Sequence, residues 1–171
     1  LYRQELKADD ARLILEAGLN YDTTMCIWSD NKLYGNKLND RIQEYSQATK
    51  VTPFLMPSID QLLARGITKI LWYDDISKIQ QIEKKLRETA LFHNVTFCTS
   101  KPFYLEFFSS KVSKATAIDR IGEIYGFTQA ETIAIGDGFN DLSMIRHAAL
   151  GAAMGNAPDG VKECADYITT R

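Results

Sequence analysis

Helix and strand patterns alternate strictly in the carboxyl-terminal part of this chain, after Ser110. Ser113 can cap a helix that Gly126 ends, because serine accepts a backbone hydrogen bond at a helix start and glycine adopts the left-handed conformation beyond the last turn. Further segments read alternately as strands and helices, at 132–135, 140–148, 150–154, 158–165 and 167–169. This order predicts a parallel sheet with helices on both faces. Residues 111–171 are therefore predicted to form an incomplete doubly wound, Rossmann-like α/β domain.

The preceding residues, 1–110, follow a different order. Strand patterns at 23–28 and 32–34 flank a polar turn and predict a hairpin, and two more strands are predicted at 95–99 and 103–108. Helices are expected at 9–18, 41–49, 58–66 and 75–90, with a further strand at 68–73. Hairpins mixed with helices predict an α+β domain, 1–110, whose sheet is covered on one face.

Charge and composition exclude several functional classes. The 171 residues include 20 Lys+Arg and 22 Asp+Glu, a formal net charge of −2, so no basic excess is available for binding nucleic acid. Apolar runs fall well short of the roughly 20 residues that span a bilayer, so no membrane partner is expected. Cys26, Cys98 and Cys164 form no CxxC pair and are odd in number, which predicts a reducing, cytoplasmic location. Because the sequence starts with Leu1, we expect a piece of a longer protein.

The segment GDGFND, directly after the strand at 132–135, is the strongest candidate site. Ligands of parallel sheets bind beyond the carboxyl ends of the strands. Asp137, Asn140 and Asp141 place two carboxylates and an amide within five consecutive positions. Such oxygen donors suit Mg²⁺, which is commonly held by one or two carboxylates and a substrate phosphate. The structural alternative is that Asn140 or Asp141 only caps the next helix while Asp137 fills the turn.

Lys114 is the second candidate. It lies in the first turn of a predicted helix, where its ammonium and the free backbone N–H groups could bind an anion. The alternative is a solvated surface lysine, so the assignment depends on whether the fold brings Lys114 near Asp137. His93 and His147 are isolated histidines that we do not expect to take part in chemistry, and His147 is expected to decorate the helix after GDGFND.

Two strings carry a resemblance to a known family: KATAIDRIGEIYGF, and then TIAIGDGFNDLSMIRHAALGAAMGNAPDGVKECADYIT. A lysine, GDxxND about 20 residues later, GxAMxNA and a final AD before a short strand resemble the carboxyl-terminal part of the haloacid dehalogenase-like phosphatases. The similarity is to the Cof-type branch, which has a large inserted cap domain. Residues 1–110 are similar to that cap, which the resemblance implies selects the substrate.

The resemblance implies a Mg²⁺-dependent phosphatase of small phosphorylated metabolites, such as sugar or cofactor phosphates. Asp137 would bind the metal directly, and Asp141 would be the second carboxylate, supporting a metal-bound water. Asn140 would lie close to the bound phosphate group, and Lys114 would neutralise the phosphate and a nucleophilic aspartate. Phosphoryl transfer depends mainly on positioning and charge neutralisation, which these residue types provide.

The sequence also departs from the family. The nucleophile and general acid of these phosphatases lie in a DxD motif, and this sequence contains no Asp-X-Asp; Asp9 and Asp10 are adjacent, as are Asp74 and Asp75. We therefore expect the polypeptide alone to be inactive as a phosphatase. Two alternatives stay open: a non-catalytic cation-binding or regulatory module, and a phosphotransferase or mutase of the same superfamily.

The resemblance has a consequence for folding as well. In the family another strand lies beside the one predicted here at 132–135, and without it that strand presents an open apolar edge. We expect self-association through this exposed core edge, or disorder in residues 113–171, while residues 1–110 fold independently.

Overall fold

The computed structural model describes residues 3–89 and 94–170. The chain divides into two compact units, Leu1–Ser110 and Lys111–Arg171. The predicted helix end at Ala90 and the isolated His93 lie outside the described residues. Among the helices of the described ranges, none is long and apolar enough to cross a membrane.

The first unit contains one mixed sheet with helices. Its elements are α1 (Ala8–Asn20), β1 (Thr24–Ser29), β2 (Lys32–Gly35), α2 (Asp40–Thr49), β3 (Pro53–Leu55), α3 (Ile59–Arg65), β4 (Ile67–Tyr73), α4 (Ile76–Thr89), β5 (Val95–Lys101) and β6 (Tyr104–Ser109). The strand order is β3-β2-β1-β4-β6-β5. Neighbouring strands are antiparallel except β2 and β3, which are parallel. The predicted mixture of hairpins and helices is confirmed, with β3 as an additional strand.

Both faces of this sheet carry packed side chains. Met25 and Ile27 of β1 belong to the larger core, which α1, α3 and α4 cover. Cys26 lies between them in sequence and therefore points to the opposite face, where Ile42 and Tyr45 of α2 pack. The prediction of a sheet covered on one face is wrong in this respect, because α2 buries part of the second face.

The second unit is a small parallel α/β structure. Its elements are α5 (Lys114–Tyr125), β7 (Ile133–Gly136), α6 (Leu142–His147), β8 (Leu150–Ala153), α7 (Asp159–Lys162) and β9 (Tyr167–Ile168). The strands are parallel in the order β7-β8-β9. The helix predicted from Asn140 begins as a 3₁₀ turn, Phe139–Asp141, and becomes α-helical at Leu142. The predicted parallel α/β order of this unit is confirmed, but the predicted cover of helices on both sheet faces is wrong at β7, where alternate side chains are exposed.

One face of the second sheet is open to solvent. Ile133 and Ile135 alternate with buried residues along β7 and are 68% and 56% exposed. Leu150, which pairs with Ile133, is exposed on the same face. On the opposite face α6 packs through the buried Ile145. Because β7 is also an end strand of this sheet, the unit has an exposed apolar face and, along β7, an edge with no neighbouring strand in the described part of the chain.

Candidate active site

The carboxyl end of β7 leads into a tight turn that closes around Asp141. The side chain of Asp141 is buried, and its Oδ2 accepts hydrogen bonds from the backbone N–H groups of Asp137 and Gly138, each at 3.0 Å. These two N–H groups follow the last strand residue, where the backbone has left the sheet and needs other acceptors. Asp141 therefore fixes the conformation of the GDGFND segment from within.

Gly136 provides the space for this carboxylate. A Cβ atom at Gly136 would lie 2.7 Å from Cγ and 2.8 Å from Oδ2 of Asp141, which is closer than non-bonded atoms approach. The glycine at the end of β7 is therefore required by a close approach. The sequence has two glycines at this turn, and the close approach explains why the first, Gly136, has to be a glycine.

Lys114 reaches the same carboxylate from α5. The helix begins where predicted, because Ser113 Oγ accepts from the N–H of Thr116 at 3.0 Å and Thr116 Oγ1 accepts from the N–H of Ser113 at 2.9 Å. Lys114 Nζ then donates to Asp141 Oδ1 in an ion pair. The fold thus brings together two candidate residues that are separated by 27 positions in sequence.

The surroundings of Asp141 favour its charged form. Burial alone would raise its pKa, but hydrogen bonds from Lys114 and from the N–H groups of Gly138 and Asp137 outweigh burial and lower the pKa below its usual value. The side chain of Lys114 itself remains half-exposed. The pair thus combines a buried negative charge on Asp141 with a partly exposed positive charge on Lys114.

Asp137 and Asn140 lie on the surface of the turn. Asp137 is exposed, and its Oδ2 lies 3.4 Å from Nδ2 of Asn156, a residue that follows β8. Asn140 is exposed, and its side-chain oxygen lies over Gly138. Among the described residues no hydrogen bond or ion pair joins Lys114 to either Asp137 or Asn140. The structure therefore links Lys114 to Asp141 and leaves the other two side chains accessible to a ligand.

Asn156 is a neighbour of Asp137 for which the sequence predicts no role. It lies in the GNA part of the GxAMxNA string, directly after Gly155. The N–H of Gly155 donates to Thr169 Oγ1 at 3.1 Å, which ties this loop to the end of β9. The string was informative, because parallel strands β7 and β8 end at the same edge of the sheet and their following loops meet there.

The oxygen donors of the turn meet part of what Mg²⁺ requires. Magnesium takes oxygen ligands, keeps several waters and is usually bound through one or two carboxylates. Asp137 offers an exposed carboxylate, and both oxygens of the neighbouring Asp141 already accept hydrogen bonds. The described residues contain no group of three or more His, Cys, Asp or Glu side chains that could hold a metal ion by themselves. The turn therefore fits a partial magnesium site that water and a phosphate group would complete.

Proteins named as phosphatases have sequences similar to this chain. A Haemophilus influenzae protein named "Putative phosphatase" is 30% identical over 152 residues, which cover 89% of this chain and 54% of that protein. The 5-amino-6-(5-phospho-D-ribitylamino)uracil phosphatase YcsE of Bacillus subtilis is 49% identical over 70 residues, 41% of this chain and 28% of that protein. This chain thus spans about half or less of the length of these relatives.

The fold has close counterparts among solved structures. A haloacid dehalogenase-like hydrolase from Bacteroides thetaiotaomicron matches with a TM-score of 0.80 at 28% identity, covering 99% of this chain and 64% of that one. A sequence model of the haloacid dehalogenase-like hydrolases matches residues 1–171. The resemblance read from the lysine, GDxxND and GxAMxNA strings is therefore confirmed, and the chain belongs to the haloacid dehalogenase-like hydrolase family.

Proposed function

We propose that this chain forms part of a Mg²⁺-dependent phosphatase that hydrolyses small phosphorylated metabolites. The observation that carries the proposal is the ammonium of Lys114 lying against the buried carboxylate of Asp141, on the same turn as the exposed carboxylate of Asp137. A fixed cation beside a hard-metal ligand suits a phosphoryl group, whose transfer requires charge neutralisation more than covalent chemistry.

The contacts of the individual side chains support the role proposed for each. Asp137 would hold Mg²⁺, with Asp141 as the adjacent carboxylate. When bound, Mg²⁺ would neutralise charge on the phosphoryl oxygens. Asp141 also keeps Lys114 at the turn, so the ammonium is oriented before substrate arrives. The amide of Asn140 is exposed and could donate to a phosphate oxygen.

The proposed substrates are small phosphorylated metabolites such as sugar or cofactor phosphates. Support comes from the Bacillus subtilis relative, which is named for the phosphorylated ribitylamino compound on which it acts. The first unit, residues 1–110, is proposed to be the cap that selects among such substrates. Nucleic acid and membranes are not proposed as partners, given the net charge of −2 and the short apolar runs. A cytoplasmic location stays a prediction from the cysteine pattern.

The polypeptide of 171 residues is proposed to be inactive by itself. It contains no Asp-X-Asp sequence, so it lacks the nucleophile and general acid that the family uses. The same observation favours a second candidate, a cation-binding or regulatory module that has no catalytic role. A phosphotransferase or mutase would share these site residues and differ in the group that accepts the phosphoryl unit.

Phosphate release from an aryl phosphate in excess Mg²⁺ tests the proposal. A longer protein that contains this chain should release phosphate, and Lys114→Ala or Asp137→Asn should lower its turnover by about 100-fold or more. Lys162→Ala and Asp159→Asn, which change the same residue types on α7, should leave turnover nearly unchanged. The 171-residue chain should stay at the metal-free background. No phosphate release from the longer protein would contradict the phosphatase and favour the binding module.

A further inference from the structure

Helix α5, which carries Lys114, has little apolar anchoring. Of its twelve residues, all within the described part of the chain, only Gly122 is buried. Ile124 and Tyr125 are 75% and 79% exposed. Because apolar burial normally fixes the position and rotation of a surface helix, polar contacts of this helix should matter more than usual for its placement.

Two charged contacts connect α5 to the segment that contains α6. Lys114, the first residue of α5, pairs with Asp141, which directly precedes α6. Asp119, five residues further along α5, meets the ring of His147, with 2.6 Å between its Oδ1 and the ring Nε2. His147 is the last residue of α6. Helix α5 is thus attached to both ends of α6.

His147 is itself held from a second direction. Nε2 of Gln129, in the 3₁₀ turn before β7, donates to the backbone carbonyl of His147. The N–H of the next residue, Ala148, donates to the carbonyl of Met144 at 3.0 Å and completes the last turn of α6. The imidazole therefore projects from a fixed backbone, and it can act as a reference point for α5.

We propose that Asp119 and His147 are positioning residues: their contact fixes α5 so that the ammonium of Lys114 stays at Asp141. Without it, α5 would lose its side-chain contact to the end of α6 and could turn about its first turn, carrying Lys114 away from the carboxylate. The inference rests on the proposed function, because Lys114 is held in place there in order to bind a phosphoryl group. Neither Asp119 nor His147 touches the candidate site, so neither is a catalytic residue.

A purely stabilising ion pair makes a different prediction. Asp119 is about half exposed, and ion pairs between exposed side chains contribute little to the free energy of unfolding. Loss of such a pair would lower stability slightly and leave the surroundings of Lys114 unchanged. The two roles are therefore separated by the environment of the Lys114 side chain.

Nuclear magnetic resonance of the 171-residue chain measures that environment. The Cε–Hε signal of Lys114 is assigned by its disappearance in Lys114→Arg. In Asp119→Ala and His147→Ala this signal should lose most of its separation from the signals of solvated lysines. His147→Gln should restore it, because glutamine keeps an N–H donor close to the position of Nε2. Glu123→Ala is the matched control, since its carboxylate lies on the same helix but pairs with Arg120 within α5.

An unchanged Lys114 signal in Asp119→Ala would overturn the proposal. Should an alanine variant fail to fold, Asp119→Asn gives the same test, with a partial shift supporting the proposal and an unchanged signal overturning it. In the longer protein, Asp119→Ala should lower kcat/KM by on the order of 10-fold while Glu123→Ala does not. Lack of phosphatase activity in the unsubstituted protein would refute the proposed function alone, because the resonance of Lys114 still decides the positioning role.

Discussion

The two units differ in what their cores contain. In the first unit the fully buried side chains include Trp72 and Phe107, whose rings lie 4.6 Å apart. In the second, the buried cluster consists of one isoleucine, one valine and two alanines, with Ile145 and Val161 the largest. Since each large buried side chain contributes roughly 1.5–3 kcal/mol, the second unit gains much less from apolar burial. Its structure depends more on polar contacts, and these are the contacts that build the candidate site.

Each unit nevertheless buries an aspartate in the segment that follows a strand. Asp74 follows β4 and pairs with Arg41 and Lys78, while Asp141 follows β7 and pairs with Lys114 and two backbone N–H groups. In both, burial would raise the pKa of the carboxyl group and the hydrogen-bond partners outweigh it, so the pKa is lowered.

The difference lies in the partners. The two cations around Asp74 face a second carboxylate, that of Asp75. Arg41 Nη2 lies 2.7 Å from Asp75 Oδ1. At Asp141 the single lysine remains half-exposed, next to the exposed Asp137. The first arrangement is internally neutralised, whereas the second leaves a cation and a carboxylate available to a ligand.

The largest expected effect is the loss of an aromatic ring from the first core. Phe107→Ala should lower the free energy of unfolding of the first unit by about 3–5 kcal/mol, because it removes a fully buried side chain and leaves a cavity. Val161→Ala in the second unit removes fewer atoms and should cost clearly less. Urea unfolding, monitored by hydrogen exchange of the amides in each unit, measures both losses of unfolding free energy. Equal costs would contradict the contrast between the two cores.

The next largest effect is expected at Gly136, where the backbone closely approaches Asp141. Gly136→Ala should cost about 1–3 kcal/mol, because the added Cβ displaces the buried carboxylate of Asp141. Gly138→Ala is the control, since its Cβ would meet the side chain of Asn140, which can rotate towards solvent. Thermal unfolding gives the costs, and the Lys114 Cε–Hε signal reports the broken ion pair. A stable Gly136→Ala with an unchanged Lys114 signal would disprove this reading of the turn.

A smaller and pH-dependent effect is expected at Asp141. Asp141→Asn should cost about 1–2 kcal/mol at pH 7, because the charge-assisted hydrogen bonds are weakened. The folded-state pKa of Asp141 is lowered, so the stabilisation is present above its unfolded pKa of about 3.9 and is lost as the pH falls through the folded value. The gap between the two proteins should therefore shrink below about pH 4. A gap that stays constant from about pH 7 to about pH 3 would argue against the ionised carboxylate.

The smallest effect on stability concerns the open face of the second sheet. Ile135→Lys should change the free energy of unfolding by less than about 0.5 kcal/mol, because the side chain is already exposed. It should nevertheless reduce the self-association proposed for the β7 edge, which light scattering at several protein concentrations measures. Leu13→Lys, at an exposed leucine of α1, is the matched control. A monomeric unsubstituted chain would contradict the proposed self-association.

Much of the second unit could be predicted from local signals. The limits of α5 follow from Ser113 and Gly126, which the structure uses as the caps on either side of Lys114–Tyr125. The strand β3 could not be found in the same way, because Pro53–Leu55 is three residues long and pairs with β2 through non-local hydrogen bonds. The packing of α2 on the second sheet face is likewise a tertiary outcome.

The candidate site shows the same limit at the level of side chains. The spacing of GDGFND located the turn and its acidic residues, and the expectation that Lys114 comes to this turn agrees with its contact to Asp141. That one carboxylate accepts from Lys114 and two backbone N–H groups depends on how the turn closes, which spacing alone does not specify. The contact between Asp119 and His147 joins two helices and has no local sequence signal.

The most direct test of the central claim is a titration of the 171-residue chain with Mg²⁺ and inorganic phosphate, followed through the backbone amide signals of residues 136–141 and the Cε–Hε signal of Lys114. Saturable shifts of both sets are expected, with the Mg²⁺ response lost in Asp137→Asn and the phosphate response lost in Lys114→Ala. Asp159→Asn should respond as the unsubstituted chain does. Shifts that do not saturate, or that persist unchanged in Asp137→Asn, would contradict a magnesium and phosphate site at this turn.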